Sequence, residues 1–224
     1  MACSENSGKS MFGKRKLFEV VRNAIDLPKY SYNKELASIK RKELGISDHF
    51  VLGHIGNFSR VKNYPFILKV FQAVHSRRKD AVLLLIGKDS NDPTVRKNVA
   101  KMGLAGSVIF TGVRSDVNEL LQAVDVFLFP SIQEGLPVSL IEAQAAGLPC
   151  IVSDTITEEV RVTDLVEFLS LDDPIEYWSR AILKYANGYE RKNTSENIRK
   201  AGYDVRDTAE RLEDFYMSLK RKQH

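Results

Sequence analysis

From Phe50 onward the chain predicts an α/β fold, a Rossmann-like parallel sheet with helices on both faces. Three observations carry the expectation. Short apolar runs recur without polar alternation, as strands buried on both faces require. Segments of helical period separate them, and several runs stop at a glycine, where the chain can turn tightly.

Taken in order, residues 50–55 read as a first strand ending at Gly56, and residues 65–77 place Phe66, Ile67, Val70, Phe71 and Val74 on one helical face. Residues 81–86 form a second strand closed by Gly87, followed by a helix over 93–102. A third strand, 107–110, ends near Gly112 and leads into a short helix over 117–123. The apolar run 126–129 is a fourth strand; residues 150–152 and 166–169 are a fifth and a sixth. Three helices close the chain, over 174–186, 195–201 and 205–220, the last with Leu212, Phe215, Tyr216 and Leu219 on one stripe. Ahead of the sheet, residues 17–21 are a strand candidate, followed by a polar, lysine-rich connector.

Composition excludes several classes. A chain of 224 residues with 43% hydrophobic and 28% charged residues is neither disordered nor fibrous. Cys3 and Cys150 are too few for a disulfide framework or a zinc site and predict a reducing, cytoplasmic compartment. No run is apolar enough to span a bilayer, and the first residues lack the plan of a signal peptide. The net charge of +4 is uneven: residues 1–42 carry ten Lys or Arg against four Asp or Glu. A solvated basic face explains this arm; attraction to an anionic membrane surface is the sharper alternative. Nucleic acid is not indicated, since no stacking pattern of aromatic and basic residues occurs. His49, His54, His75 and His224 show no ligand spacing and read as surface or packed residues, and Trp178 reads as core.

The densest signal is the stretch 130–149. Glu134 lies on a strand-to-helix loop, and Pro137, with its fixed φ, suits the first helical position. The N–H groups just after Gly135 then point at whatever occupies the loop. Glu142, with seven residues between it and Glu134, lies about a turn and a half inside the helix. Ligands of open parallel sheets bind beyond the carboxyl ends of the strands, so the loop holding Gly56, Asn57, Arg60 and Lys62 and the loop holding Arg114 are expected beside it.

This Glu134–Glu142 spacing, the Gly-Leu-Pro turns at 135–137 and 147–149, the Gly56-Asn57-Phe58-Ser59 loop with Lys62-Asn63, the run 110–117 and Asn23 to Asp26 resemble the signature of retaining GT-B glycosyltransferases of family 4, with wording similar to bacterial capsule and exopolysaccharide enzymes. The resemblance implies the C-terminal, nucleotide-sugar-binding half of such an enzyme. It implies residues 1–46 as a remnant of an N-terminal acceptor domain with its linker, 47–204 as the donor domain, and 205–224 as a crossover helix and tail. Lys62 would bind the donor diphosphate, Glu142 the ribose hydroxyls and Glu134 the transferred sugar, with Arg114 along the nucleoside. The N–H groups of Gly135, Leu136, Pro137's successor Val138 and Ser139 would face phosphate or sugar. Glu134 and Lys62 are the catalytic candidates. The family's usual Gly-Arg is Gly56-Asn57 here, and Arg60 is the candidate to replace that charge. No Asp-x-Asp occurs, so neither a metal nor another cofactor is expected beyond the nucleoside-diphosphate sugar itself. The alternatives are a non-catalytic sugar-nucleotide-binding module and a GT-B-type nucleotide-sugar epimerase.

Overall fold

The computed structural model describes residues 1–2, 5–13, 18–88 and 92–221. Cys3, Leu17 and His224 lie outside them. Helices α1 (Glu5–Phe12), α2 (Leu27–Tyr30) and α3 (Lys34–Glu43) precede the sheet. Then come β1 (Phe50–Ile55), α4 (Tyr64–Arg77), β2 (Ala81–Ile86), α5 (Pro93–Lys101), β3 (Val108–Gly112), α6 (Val117–Ala123), β4 (Val126–Phe129), α7 (Val138–Ala145), β5 (Cys150–Ser153) and β6 (Val166–Leu169). Helices α8 (Ile175–Leu183), α9 (Ser195–Lys200) and α10 (Val205–Arg221) follow. Single 3-10 turns occupy Arg60–Lys62 and Glu158–Val160.

The six strands form one sheet in the order β3-β2-β1-β4-β5-β6, with every pairing parallel. The period of two sends successive side chains to opposite faces, and both faces are dry. Leu52, Leu83, Leu85, Val126, Leu128 and Ile151 pack under α4, α5 and α8, against Phe71, Val95 and Trp178. Val51, Leu84, Ile86, Phe127, Phe129 and Val152 pack under α6 and α7, against Leu120, Leu121 and Leu140. Full burial of each such side chain contributes about 1.5–3 kcal/mol, which is why apolar runs without polar alternation foretold this architecture. Trp178 is core, with its Nε1 donating to Ser170 O at 2.9 Å.

Three expectations need correction, and one segment without a predicted element gains two. Of the strand candidate over 17–21, the described part makes only an isolated parallel bridge between Ala2 and Val20. The polar, lysine-rich connector after it, for which the sequence predicts no element, folds into α2 and α3, because Leu27, Ala37 and Ile46 are buried and Asn33 Oδ1 caps α3 by accepting from Leu36 N at 3.0 Å. Pro137 is the N-cap of α7 rather than its first helical residue, with ψ at 107°. The helix expected over 174–186 is the shorter α8, Ile175–Leu183.

The segments flanking the sheet converge. Ile25 pairs with Asp204 in a parallel bridge, and Ile25 and Leu27 share a third apolar cluster with Ile141, Ala145, Ile198 and Tyr203. Arg211 of α10 donates to Val20 O at 2.9 Å. Leu212 and Phe215 are half-buried while Tyr216 and Leu219 are exposed, so the apolar stripe of α10 is covered only in part.

Candidate functional site

Strand order reverses between β1 and β4: the chain runs outward through β2 and β3, then returns to β4 on the other side of β1. The loops leaving these two neighbours diverge and open a crevice at the carboxyl edge. The residues singled out in the sequence sit on those loops.

The loop after β1 is pinned at both ends. Gly56 N donates to Ile86 O at 2.9 Å, Tyr64 Oη donates to Gly56 O at 2.8 Å, and Phe58 N donates to Lys88 O at 3.0 Å. Gly87 makes the approach possible: its φ is +143°, and a Cβ there would stand 2.2 Å from Gly56 O. Asn57 Oδ1 accepts from Lys88 N at 3.2 Å, so this side chain ties the first loop to the second. The turn Arg60–Lys62 ends at Asn63, held left-handed at φ 55°, a conformation asparagine tolerates. Ile132 N donates to Val61 O at 2.8 Å and docks this turn on the loop after β4.

These contacts deliver Lys62. Its aliphatic stem lies over Gly56, where a Cβ would fall 2.9 Å from Cδ and Cε. Its Nζ stands 4.5 Å from the Phe129 ring centroid and 2.7 Å from Glu134 Oε1. The Lys62 and Glu134 side chains are only 17% and 16% exposed, so their attraction is screened less than that of a surface pair. Beneath them His54 is fully buried, stacked on Phe129 at 5.7 Å and edge-on to Tyr64 at 5.3 Å. Its Nδ1 donates to Leu128 O at 2.9 Å, since a carbonyl only accepts. Burial holds its pKa down at about 4, with the charge of Lys62 acting in the same direction and the Leu128 hydrogen bond opposing both. Lys62 therefore rests on a neutral aromatic bed, and the packed reading of His54 holds.

On the opposite loop, a side chain at Gly135 would meet no protein atom within 4 Å, so the space before α7 is open. The first N–H groups of α7, at Val138 and Ser139, lack an earlier helical turn to bond, and the helix dipole adds positive potential there. Leu136 is half-buried against the apolar clusters below α7. Glu142 lies about 6 Å along the axis from Val138 at 1.5 Å per residue. Tyr30 Oη donates to Glu142 Oε1 at 2.6 Å. Burial raises the Glu142 pKa, and the Tyr30 hydrogen bond pulls it partly back.

The structure thus brings Gly56, Lys62 and Glu134 together at the mouth of β1 and β4, with the start of α7 on the same loop. Arg60 lies on the same turn as Lys62 and is exposed. Arg114 is placed differently. It follows β3, three strands from β4, which at about 4.8 Å per strand is roughly 14 Å across the sheet. Its Nε and Nη2 each donate to Asp116 at 2.7 Å, and Nη2 stands 3.5 Å from Glu43. Sequence reasoning missed Gly87, Phe129, Tyr64 and Tyr30. Gly87 was visible as a strand terminator, but its contact with Gly56 was not. Tyr30 sits in the connector where no helix was expected. Among the described residues, no group of three His, Cys, Asp or Glu is placed to hold a metal, and no helix is long and apolar enough to cross a membrane.

A parallel α/β sheet in this order, with a cation, a carboxylate and a helix amino end at its switch point, defines the class of domains that bind phosphate-bearing ligands at that edge. The family is narrower: residues 49–187 match the model of glycosyl transferases group 1, and the chain belongs to that family. It is 35% identical over its whole length to a putative glycosyltransferase, EpsF, of Bacillus subtilis, covering 60% of that protein. It is 26% identical to the Escherichia coli UDP-Gal:alpha-D-GlcNAc-diphosphoundecaprenol alpha-1,3-galactosyltransferase, with 89% of this chain and 54% of that protein aligned. The fold matches that of Anabaena Alr3699/HepE in complex with UDP, with a TM-score of 0.80 at 18% identity over 97% of this chain and 63% of that one. The expected α/β fold of GT-B type is therefore the observed one. The chain spans about 60% of the length of these relatives.

Proposed function

We propose that the chain is the donor-binding half of a retaining glycosyltransferase of cell-surface polysaccharide biosynthesis, moving a hexosyl group from a nucleoside-diphosphate sugar to a glycan or lipid-linked acceptor. The observation that carries the reading is the Lys62–Glu134 pair at 2.7 Å, set at the switch point between β1 and β4 on the loop that opens α7. The E. coli relative uses UDP-Gal, and the HepE structures include one with UDP-glucose; both support a donor of this class.

The chemistry follows from charge. Cleavage of the bond between the anomeric carbon and the diphosphate places negative charge on the leaving oxygen and positive character on the sugar. Lys62, the neighbouring Arg60 and the N–H groups at the start of α7 would oppose the first, without a divalent metal. Glu134 would accept hydrogen bonds from the sugar hydroxyls and face the second. Glu142, with Oε1 held by Tyr30, would offer Oε2 to the ribose hydroxyls. For retention, the acceptor oxygen would bond to the anomeric carbon on the face the diphosphate leaves, its proton passing to the departing phosphate. A second, N-terminal domain would supply the acceptor side, and the basic segment 1–42 would favour the inner face of an anionic membrane.

Calorimetric titration with UDP-glucose, GDP-mannose and ADP-glucose tests the reading. One of the three is expected to bind, with Lys62→Ala and Glu142→Ala each weakening it at least tenfold. Unchanged affinity in both variants would overturn the site, and binding of none of the three by the parent chain would overturn the function.

A further inference from the structure

We propose that Glu134 is an internal counterion through which the site tells an intact sugar nucleotide from the free nucleoside diphosphate. The proposal rests on the reading above. The ammonium that would meet a diphosphate already has an anion on it, Glu134 Oε1 at 2.7 Å. The Lys62 stem lies over Gly56 and its Nζ over the Phe129 ring, so the side of the ammonium turned to Glu134 is already committed and a diphosphate must share its charge or draw it away. An arriving diphosphate therefore competes with Glu134 for one cation.

What happens to the displaced carboxylate decides the outcome. Glu134 is only 16% exposed, so water replaces the lost partner poorly, and the carboxylate is left beside phosphate oxygens of its own sign. The hydroxyls of a donor sugar are hydrogen-bond donors and satisfy it. A free nucleoside diphosphate brings no such donors and carries a further negative charge on its terminal phosphate. Glu134 thus penalises the product more than the donor. Once the sugar has been transferred, the Lys62–Glu134 pair re-forms as the nucleoside diphosphate leaves.

The test is calorimetry on the full chain with a matched pair of probes, UDP-glucose and UDP, or the corresponding GDP or ADP pair if that base is the one bound. The parent chain is expected to bind the sugar nucleotide more tightly. In Glu134→Gln the affinity for the free diphosphate should rise about tenfold while that for the sugar nucleotide does not rise, so the preference collapses. Glu134→Ala should show the same gain for the diphosphate, because the effect depends on charge and not on the shape of a glutamine. Lys62→Met should weaken both probes. A preference unchanged in both Glu134 variants, or a diphosphate affinity that falls in them, overturns this inference while leaving the donor-binding reading standing. Failure of the parent chain to bind any probe overturns both.

Discussion

Two partly buried charge clusters, one joining α3 and α6 to the loop after β3 and the other on the loops after β1 and β4, are built on opposite plans. In the first, Lys40 contacts Glu43, Asp116 and Glu119 at 2.9, 2.9 and 2.8 Å, and Arg114 adds its two bonds to Asp116. Two cations face three carboxylates there. The hydrogen bonds that Lys40 donates to Glu119 first, then to Asp116 and Glu43, raise its pKa, and Arg114 foremost holds Asp116 well below the carboxylate range. After β1 and β4, one cation meets one carboxylate over an aromatic bed, with exposed Arg60 and a helix amino end alongside. The first cluster is saturated and fastens α3 to α6. The second keeps positive potential in reserve. What separates a site from a strut is spare capacity at the sheet's switch point, not the number of ion pairs.

The comparison can be broken most forcefully at the backbone of the second cluster. Gly87→Ala adds a Cβ 2.2 Å from Gly56 O at a φ of +143°, and is expected to destabilise the fold by about 3–4 kcal/mol, read as a Tm drop of roughly 10 °C by circular dichroism. A tolerated alanine would mean that the Gly56 loop is not pinned as described.

Acid probes the bed beneath Lys62. The unfolded His54 imidazole takes its proton near pH 6.5, whereas the buried one resists until about pH 4, so its contribution is complete above pH 7 and is lost as pH falls through that window. The loss should reach about 3 kcal/mol in urea titrations. Asp116 titrates lower and loses its contribution only below about pH 4. His54→Phe should flatten the slope between pH 6.5 and 4; an unchanged slope would assign it to another group.

The direct contrast is between two lysines. Lys40→Met leaves Glu119 without its cation and Asp116 with Arg114 alone, and should cost about 2 kcal/mol of stability with sugar-nucleotide affinity unchanged. Lys62→Met leaves one carboxylate, Glu134, without its cation and should cost about 1 kcal/mol of stability while weakening sugar-nucleotide binding at least tenfold, as denaturation and calorimetry on the same samples would show. An equal effect of both on either readout would dissolve the distinction. Smallest is Tyr30→Phe, which removes the bond to Glu142 and should cost about 0.5–1 kcal/mol in urea unfolding, with the Glu142 pKa moving further up.

The strands were legible because burial on both faces writes itself locally: the runs 50–55, 81–86, 126–129 and 166–169 match β1, β2, β4 and β6 residue for residue. Helix α3 was not, because Lys-Glu-Leu-Ala-Ser-Ile-Lys-Arg-Lys-Glu holds few apolar residues and owes its place to Ala37 and Lys40 docking on α6. The loop lysine and the two glutamates were visible as a pattern, yet nothing in that pattern said that Glu134 would sit on Lys62.

Periodicity, glycine placement and the spacing of Glu134 and Glu142 determined the α/β class, the strand boundaries and the loops on which the chemistry stands, since these depend on residues close in sequence. The partners were decided only in three dimensions: Tyr30 for Glu142, Gly87 against Gly56, Asp116 for Arg114, Phe129 beneath Lys62. Each depends on how distant segments dock across the sheet, and a one-residue shift in strand register sends a side chain to the other face.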